Sequence, residues 1–263
     1  MLKLGGSLIT DKNQPYTLRT EVLKSASAEI KRCLDEGLVD KLVVVHGVGS
    51  YGHPPVIQHR LYKGFIDPAQ LLPLSRTQSE VNVLRAQVTS CLQDAGIPVN
   101  LFHTSSIATA KGGHIESMDL AAVRGFMGVG MVPVLGGDMV HDSLMGFSVG
   151  SGDQVAVILA KELGASDLVL ATDVAGVYDA DPKANPDARL VRELSLTGSG
   201  DLAGAGDARK DASGAMRGKL SALAALSPEL HGGLNMAIIS MMEPGRLRAL
   251  LRGDPVDATR IKP

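Results

Sequence analysis

Short apolar runs alternate along the chain with segments in which apolar residues recur at the spacing of a helix. This alternation is typical of an α/β protein with a largely parallel, buried central sheet. The clearest predicted strands are residues 42–46, 98–102, 132–135, 167–171 and 236–239. The predicted helices are residues 20–36, 79–95, 152–163, 214–226 and 245–250. We therefore predict an open αβα sandwich.

The chain has 263 residues, enough for one large domain or for two lobes that share a sheet. We place the boundary between the predicted helix 152–163 and the predicted strand 167–171, which gives an N-terminal lobe of residues 1–165 and a C-terminal lobe of residues 166–263. Residues 196–211 are rich in glycine and have no periodicity. They are predicted to form a mobile surface loop.

The charge pattern argues against nucleic acid or an anionic membrane as a partner. The formal net charge is −2, and lysine and arginine are spread along the chain instead of forming a basic patch. Aromatic residues make up only 3% of the chain and tryptophan is absent, so stacking platforms for bases are scarce. No apolar run approaches the roughly 20 residues of a membrane span.

The N-terminus and the cysteines indicate a cytoplasmic protein. Gly5, Gly6 and Asp11 interrupt any hydrophobic segment of a signal peptide. Cys33 and Cys91 lie in amphipathic helical patterns far apart in the sequence. We interpret them as buried free thiols in a reducing compartment rather than as a disulfide.

The first candidate for chemistry is the segment 3–7, where a short apolar strand runs into Gly5, Gly6 and Ser7 with Lys3 just before them. Adjacent glycines let backbone N–H groups approach an anion closely, and the lysine adds positive charge. The spacing and the position of the lysine differ from the Walker pattern. Two glycines after a strand are also common in ordinary turns.

Glycine-marked turns follow four predicted strands. These turns are residues 3–7, 46–54, 136–138 and 172–178. Ligands of open parallel sheets bind at the carboxyl ends of the strands, so we expect the turns to share one site. His53 lies between Gly52 and Pro54, where an imidazole can donate to a phosphate oxygen, although a lone histidine is more often a surface residue.

Two helix N-termini complete the candidate site. Residues 148–153 precede a helical pattern whose backbone donors suit an anion, and Asp153 either caps that helix or belongs to the anion site. Lys219 lies in the first turns of the helix that begins at Gly214. The helix dipole disfavours a lysine there, which favours a ligand-binding role over a solvated side chain.

Taken in order, these segments resemble the amino acid kinase superfamily, and within it the branch that phosphorylates isopentenyl phosphate. The resemblance rests on residues 3–7 with Asp11-Lys12, and on residues 46–54, 132–138, 151–153, 171–177 and 211–219. It spans nearly the whole chain. The Gly52-His53-Pro54 turn is the feature that favours the isopentenyl phosphate branch.

The resemblance implies that ATP, with Mg²⁺, donates its γ-phosphoryl group to isopentenyl phosphate, and that isopentenyl diphosphate and ADP form. It assigns Lys3, Lys12 and His53 to catalysis and no residue to the metal. The implied ATP-binding residues are Lys3, Gly5, Gly6, Ser7, Gly49, Thr172, Asp173, Gly176, Tyr178, Gly214 and Lys219. The implied acceptor-binding residues are Gly47, Val48, Gly52, His53, Gly152 and Asp153. It further implies a homodimer formed through the N-terminal lobe, with the nucleotide in the C-terminal lobe.

The chain departs from this family pattern at four positions. Val48 replaces the middle glycine of a Gly-Gly-Gly turn, which requires a negative φ and room for a branched side chain. Gln154 and Ala175 stand where relatives often carry aspartate, and Arg85 stands where many carry asparagine. Two alternatives therefore stay open: a kinase for another small phosphate, phosphonate or carboxylate, and a nucleotide-binding regulator without transfer activity.

An apolar acceptor tail needs an apolar recess. The helical segment 81–92 presents Val83, Leu84 and Val88, which are consistent with such a recess. The same residues suit an ordinary helix core, and we favour the core interpretation.

Overall fold

The computed structural model describes residues 1–11, 13–182, 184–196, 202–203 and 214–263. The helices are α1 Gly6–Ile9, α2 Thr20–Asp35, α3 Gly49–Gln58, α4 Leu71–Asp94, α5 Thr104–Ile107, α6 Ala121–Gly128, α7 Gly152–Glu162, α8 Gly214–Leu223, α9 Ser227–His231 and α10 Arg246–Arg252. The strands are β1 Leu2–Leu4, β2 Val44–His46, β3 Val99–Leu101, β4 Ala108–Lys111, β5 His114–Met118, β6 Val132–Gly136, β7 Asp138–Asp142, β8 Gly146–Gly150, β9 Asp167–Thr172, β10 Val177–Tyr178, β11 Leu190–Val191, β12 Glu193–Leu196, β13 Leu202–Ala203, β14 Asn235–Ser240 and β15 Ala258–Lys262.

The central sheet has nine strands in the order β13-β12-β15-β14-β9-β1-β2-β6-β3. Its neighbours pair in parallel, except for the antiparallel pairs β12–β13 and β14–β15. Lys3 in β1 is in register with Val45 of β2 and Leu170 of β9. The prediction of a largely parallel sheet is confirmed. Both predicted lobes contribute strands to this one sheet, and the division at residue 165 stays a prediction.

Helices cover both faces of the sheet because successive strand residues point to opposite sides. Val44 packs into a core with α2, α4 and α10, whereas Val43 and Val45 pack into a second core with α7, α8 and α9. The layers are therefore helix, sheet, helix. The helices leave the ends of the strands uncovered, and the glycine turns lie at the carboxyl ends.

A second sheet, in the order β5-β4-β7-β8, was not predicted; its strand β7 begins directly after the end of β6. Asp142 joins its two hairpin tips by accepting backbone N–H groups from Gly112, Gly113, Leu144 and Met145 at 2.8 to 3.0 Å. Burial alone raises the pKa of Asp142, but these donors hold it well below its usual range. Gln154 at the start of α7 fixes the β4–β5 hairpin, since its side chain bonds Ile115 N and Gly113 O.

Helix α3 shows where the sequence-based interpretation was wrong. Residues 46–54 were predicted to form a turn, but residues 49–54 belong to α3, which contains Pro54 and Pro55. Proline has no N–H to donate within a helix. The carbonyl of Ser50 instead accepts the backbone N–H of Tyr16 at 3.3 Å. The helix therefore tolerates its prolines with help from a neighbouring segment.

Two further predictions are corrected by the described residues. Helix α4 begins at Leu71 rather than at residue 79. In the predicted loop 196–211, Leu196 is buried and pairs with Leu202 of β13, and Ala203 of the same strand pairs with Ser195, while residues 197–201 and 204–211 lie outside those described. Cys33 and Cys91 are free and buried, as predicted. None of the helices in the described ranges is both long and apolar enough to cross a bilayer.

Candidate active site

Two glycine turns, after β1 and after β2, are pressed against each other at the carboxyl end of the sheet. A Cβ atom on Gly6 would lie 2.5 Å from the backbone nitrogen of Gly49, and one on Gly47 would lie 2.5 Å from the nitrogen of Gly6. Gly49 also has a φ of +45°, which disfavours other residues. Only glycines permit this approach, which leaves the backbone N–H groups of both turns at one place.

A cavity of about 580 Å³ opens at this edge, and Lys3, His53 and Lys219 all line it. The sequence-predicted residues that line it are Lys3, Gly5, Gly6, Ser7, Gly47, Val48, Gly49, Gly52, His53, Gly152, Asp153, Thr172, Asp173, Gly176, Tyr178 and Lys219. Gly214 is the first residue of α8. Lys12 lies outside the residues that the structure describes. The expected convergence of the four glycine turns is therefore present.

A carboxylate joins the two lysines of the cavity. Lys3 Nζ lies 2.8 Å from Asp153 Oδ1, and Lys219 Nζ lies 3.2 Å from the same oxygen. Lys3 comes from the central strand β1, and Lys219 comes from α8, which packs against α7. Two positive charges thus face one negative charge in a nearly buried place, which suits an anionic ligand.

The charges in this cluster shift one another's pKa values. Burial, reinforced by the neighbouring Lys3 ammonium, lowers the pKa of Lys219 to about 8, although Asp153 opposes the shift. Burial raises the pKa of Asp153, but Lys3 and Lys219 outweigh it and bring the pKa to about 2. Asp153 is therefore ionised at neutral pH, while Lys219 loses its proton more easily than an ordinary lysine.

The N-terminus of α7 borders the cavity. Ser151 caps this helix, because its hydroxyl accepts the backbone N–H of Gln154 at 3.2 Å. Asp153 is therefore not the cap of α7. Its carboxylate instead forms ion pairs with Lys3 and Lys219. A Cβ atom on Gly152 would lie 2.8 Å from the carbonyl oxygen of His46, so the first turn of α7 fits closely against the turn after β2.

Val48 has the negative φ and the room for a branched side chain that a valine in this turn requires. Its φ is −90° and its ψ is −20°. Its methyl groups fill space that two glycines leave open, since a Cβ on Gly52 would lie 2.6 Å from Cγ2 and one on Gly137 would lie 3.1 Å from Cγ1. His53 follows on the next turn of α3, exposed toward the cavity that it lines.

One part of the cavity has a mainly apolar lining. Its lining side chains come from α3, α4, β7 and β8, namely Val56, Val81, Met139 and Val149. None of the three residues considered for a recess on α4, Val83, Leu84 and Val88, lines the cavity, whereas Val81 at the start of the same segment does. Leu84 and Val88 are core residues, as favoured from the sequence, and Val83 is exposed.

The opposite part of the cavity lies between β9 and α8. Ser7 Oγ is 3.4 Å from Thr172 Oγ1, which in turn donates to Asp173 Oδ1 at 3.1 Å. Gly176 fits against Thr259, whose Oγ1 would collide with an added Cβ. The remaining lining residues on this side are Val174, Val177, Tyr178, Ala180, Asp181, Pro182 and Met216.

Five polar residues that line the cavity were not predicted as site residues, namely Ser50, Thr77, Asp138, Ser151 and Asp181. Asp138 was part of a quoted motif, and its place directly after Gly136-Gly137 was a usable signal. Ser50 and Ser151 also lie within the quoted segments 46–54 and 151–153. Thr77 and Asp181 gave no signal, because Thr77 lies before the predicted helix 79–95 and Asp181 lies outside every quoted segment. Arg85 is buried behind Asp138, with its Nη2 atom 3.2 Å from Asp138 Oδ2.

The comparison with known sequences agrees with this geometry. A sequence model of the amino acid kinase family matches residues 1–240. The chain belongs to the amino acid kinase family. This family member is 35% identical to the isopentenyl phosphate kinase of Methanothermobacter thermautotrophicus, over 99% of this chain and 98% of that protein.

Two further relatives support the assignment. The family member is 32% identical to the isopentenyl phosphate kinase of Methanocaldococcus jannaschii, over 67% of this chain and 70% of that protein. An X-ray structure of isopentenyl phosphate kinase superposes with a TM-score of 0.84 at 32% identity and covers 99% of this chain and 98% of that one. The likeness to these kinases therefore includes the whole α/β sandwich.

Proposed function

We propose that this member of the amino acid kinase family transfers the γ-phosphoryl group of ATP to isopentenyl phosphate, with isopentenyl diphosphate and ADP as products. One observation carries the proposal: a single cavity, lined also by His53, joins a cationic, glycine-lined centre to an apolar recess. A phosphate with a short apolar tail has the same two halves. Relatives that are themselves isopentenyl phosphate kinases support the assignment.

Catalysis in this proposal consists mainly of charge neutralisation and alignment. Lys3 and Lys219 stabilise the negative charge on the transferring phosphoryl group, and Asp153 holds both ammonium groups in place. The backbone N–H groups of the turns around Gly6 and Gly49 add donors. No strong general base is required, because a phosphate monoester is already an anion near neutral pH. Lys12 has the same role by resemblance.

The acceptor phosphate is proposed to bind where α3 and α7 meet. His53 donates to it from α3, and the backbone around Gly47, Val48, Gly52 and Gly152 completes the site. The N-terminus of α7 carries partial positive charge, which favours a phosphate there. The tail then extends into the apolar recess of Val56, Val81, Met139 and Val149.

The nucleotide is proposed to bind on the side of β9 and α8. Gly5, Ser7 and Thr172 lie near its phosphates, and Asp173, Gly176, Tyr178 and Gly214 lie toward the nucleoside. No cluster of three or more His, Cys, Asp or Glu side chains among the described residues is arranged to hold a metal ion. Mg²⁺ would therefore be held mainly by the phosphate oxygens, its usual setting in kinases, where it offsets their charge.

The test is an acceptor panel assayed for ADP release with purified protein, ATP and Mg²⁺. Isopentenyl phosphate should give the highest kcat/KM, and phosphate esters with progressively longer tails should lose kcat/KM as they outgrow the recess. Glutamate, N-acetylglutamate and a small phosphonate serve as comparison acceptors. A higher kcat/KM for any of these would overturn the acceptor assignment. ATP binding without turnover on every acceptor would instead favour a regulator.

We also infer a homodimer formed through the N-terminal lobe and a cytoplasmic location. The dimer is supported by family resemblance, and the location by two buried, unpaired cysteines. Light scattering of the purified protein tests the first, and a mass of one chain would contradict it.

A further inference from the structure

Arg85 is the most completely buried charged side chain near the cavity, with an exposed fraction of 0%. It lies on α4, and it is not among the described residues that line the cavity. One terminal nitrogen donates to Asn82 Oδ1 at 2.6 Å and to His103 Nδ1 at 2.8 Å. The other lies 3.2 Å from Asp138 Oδ2 and 3.4 Å from the carbonyl oxygen of Gly137. The guanidinium therefore lies directly behind the Gly137-Asp138 turn.

Asp138 brings a negative charge to the wall of the cavity. Its side chain is only 1% exposed, yet the residue lines the cavity. Oδ2 also accepts the hydroxyl of Ser105 at 2.9 Å, and Oδ1 accepts the backbone N–H of Met139 at 2.8 Å. These bonds fix the turn that leads from the central sheet into β7.

Gly137, the residue before Asp138, lies beside the proposed acceptor-phosphate site, and Asp138 lines the same cavity. A Cβ atom on Gly137 would lie 3.1 Å from the backbone nitrogen of Gly152 and 3.1 Å from Val48 Cγ1. Both residues belong to the backbone that we assign to the acceptor phosphate. An unpaired carboxylate next to a phosphate would repel it, and the repulsion is stronger in a buried, water-poor place than in solvent.

We propose that Arg85 is a positioning residue that masks the charge of Asp138 from behind the wall, and thereby permits an acceptor phosphate to bind beside this carboxylate. The inference rests on the proposed function. Arg85 touches neither substrate in this arrangement and acts through Asp138. Burial lowers the pKa of Arg85 and Asp138 raises it, which is consistent with a pair of mutually dependent charges.

A double-mutant cycle tests this role with Arg85→Met, Asp138→Asn and the double variant, in steady-state assays with isopentenyl phosphate and with ATP. Arg85→Met should raise the KM for isopentenyl phosphate by about tenfold or more, with the KM for ATP changed less than about threefold. Asp138→Asn should lower the KM for isopentenyl phosphate. The double variant has no charge to mask, so its acceptor KM should return to within about threefold of the wild-type value.

Removing one partner of a buried pair also destabilises a protein, so the neutral double variant decides the outcome if Arg85→Met does not fold. Arg85→Lys keeps the charge and should retain a lower acceptor KM than Arg85→Met. An acceptor KM in the double variant about tenfold above wild type would overturn the masking role, because it would show that Arg85 is needed without the charge of Asp138. Lack of wild-type turnover on isopentenyl phosphate would instead refute the proposed function and this inference with it.

Discussion

The ammonium groups of Lys3 and Lys219 lie against the same oxygen of Asp153, at 2.8 and 3.2 Å. One lysine comes from the first strand of the sheet and the other from a helix of the C-terminal part. Asp153 therefore holds together two like charges that would otherwise repel each other across the cavity. An arriving phosphate meets both lysines already in place, so little reorganisation is needed to stabilise its charge.

Replacing Lys3 should reduce turnover more than binding. Lys3→Ala removes an ammonium from the phosphoryl-transfer centre, and loss of one such electrostatic contact typically lowers kcat by about 10² to 10³-fold. The KM for ATP should change much less, because the backbone donors of the glycine turns remain. Steady-state kinetics measure both values. Lys161→Ala, at an exposed position near the end of α7, is the matched control. Equal kcat values for the two variants would refute the role.

The pH dependence of ATP use should report on Lys219. Because its pKa is lowered to about 8, raising the pH past that value removes a positive charge from the free enzyme, and kcat/KM for ATP should fall. Lys219→Arg keeps its proton at higher pH, so the fall should move to higher pH. A kcat/KM profile between about pH 7 and pH 10 at constant ionic strength tests this. Coincident profiles for both proteins would contradict it.

Asp153→Asn should move the alkaline fall in kcat/KM in the direction opposite to that expected for Lys219→Arg. Asp153 raises the pKa of Lys219 against the effect of burial. Without that carboxylate the pKa of Lys219 should drop further, so the alkaline fall in kcat/KM for ATP should begin at lower pH than in the wild type. The same pH profile measures it. A shift toward higher pH would show that another group controls the alkaline limb.

The sequence was sufficient for the sandwich and for the glycine turns because both depend on local pattern. Buried parallel strands are short apolar runs, and the turns that follow them carry their glycines in sequence order. The contacts of Asp153 could not be predicted, since they depend on how α8 packs against α7. The position of Arg85 behind Asp138 could not be predicted either, because it depends on how α4 packs against the residues that follow β6. Helix α3 was missed because its two prolines are typical of a helix end.

His53 should contribute mainly to the acceptor side of the reaction. His53→Ala removes a donor at the proposed acceptor phosphate, so the KM for isopentenyl phosphate should rise by about tenfold or more and kcat should fall as alignment is lost. His53→Gln keeps a donor and should lose less. The KM for ATP should stay close to the wild-type value. His114→Ala, on an exposed position of β5, is the control. A change confined to the KM for ATP would show that His53 acts on the nucleotide and not on the acceptor phosphate.

The packing of Val48 predicts a stability effect that runs against helix propensity. Gly52→Ala adds a residue that an α-helix prefers, by about 0.5 to 1 kcal/mol. Its Cβ would nevertheless lie 2.6 Å from Val48 Cγ2 and 2.8 Å from Val48 Cβ, both part of a branched side chain fixed near the backbone. Overpacking of this kind costs about 1 to 3 kcal/mol, so Gly52→Ala should lower the free energy of unfolding.

A second substitution, Val48→Gly, tests whether contact with Val48 is the cause of the destabilisation expected for Gly52→Ala. Val48→Gly removes both contacting carbons, so Gly52→Ala in that background should no longer be destabilising and should benefit from its helix propensity. Urea unfolding of the wild type, the two single variants and the double variant measures the coupling. If Gly52→Ala destabilised the wild type and the Val48→Gly variant equally, the contact between the two side chains would not be the reason that position 52 is glycine. A coupling of about 1 kcal/mol or more would instead show that a branched residue at position 48 is accommodated because position 52 has no side chain.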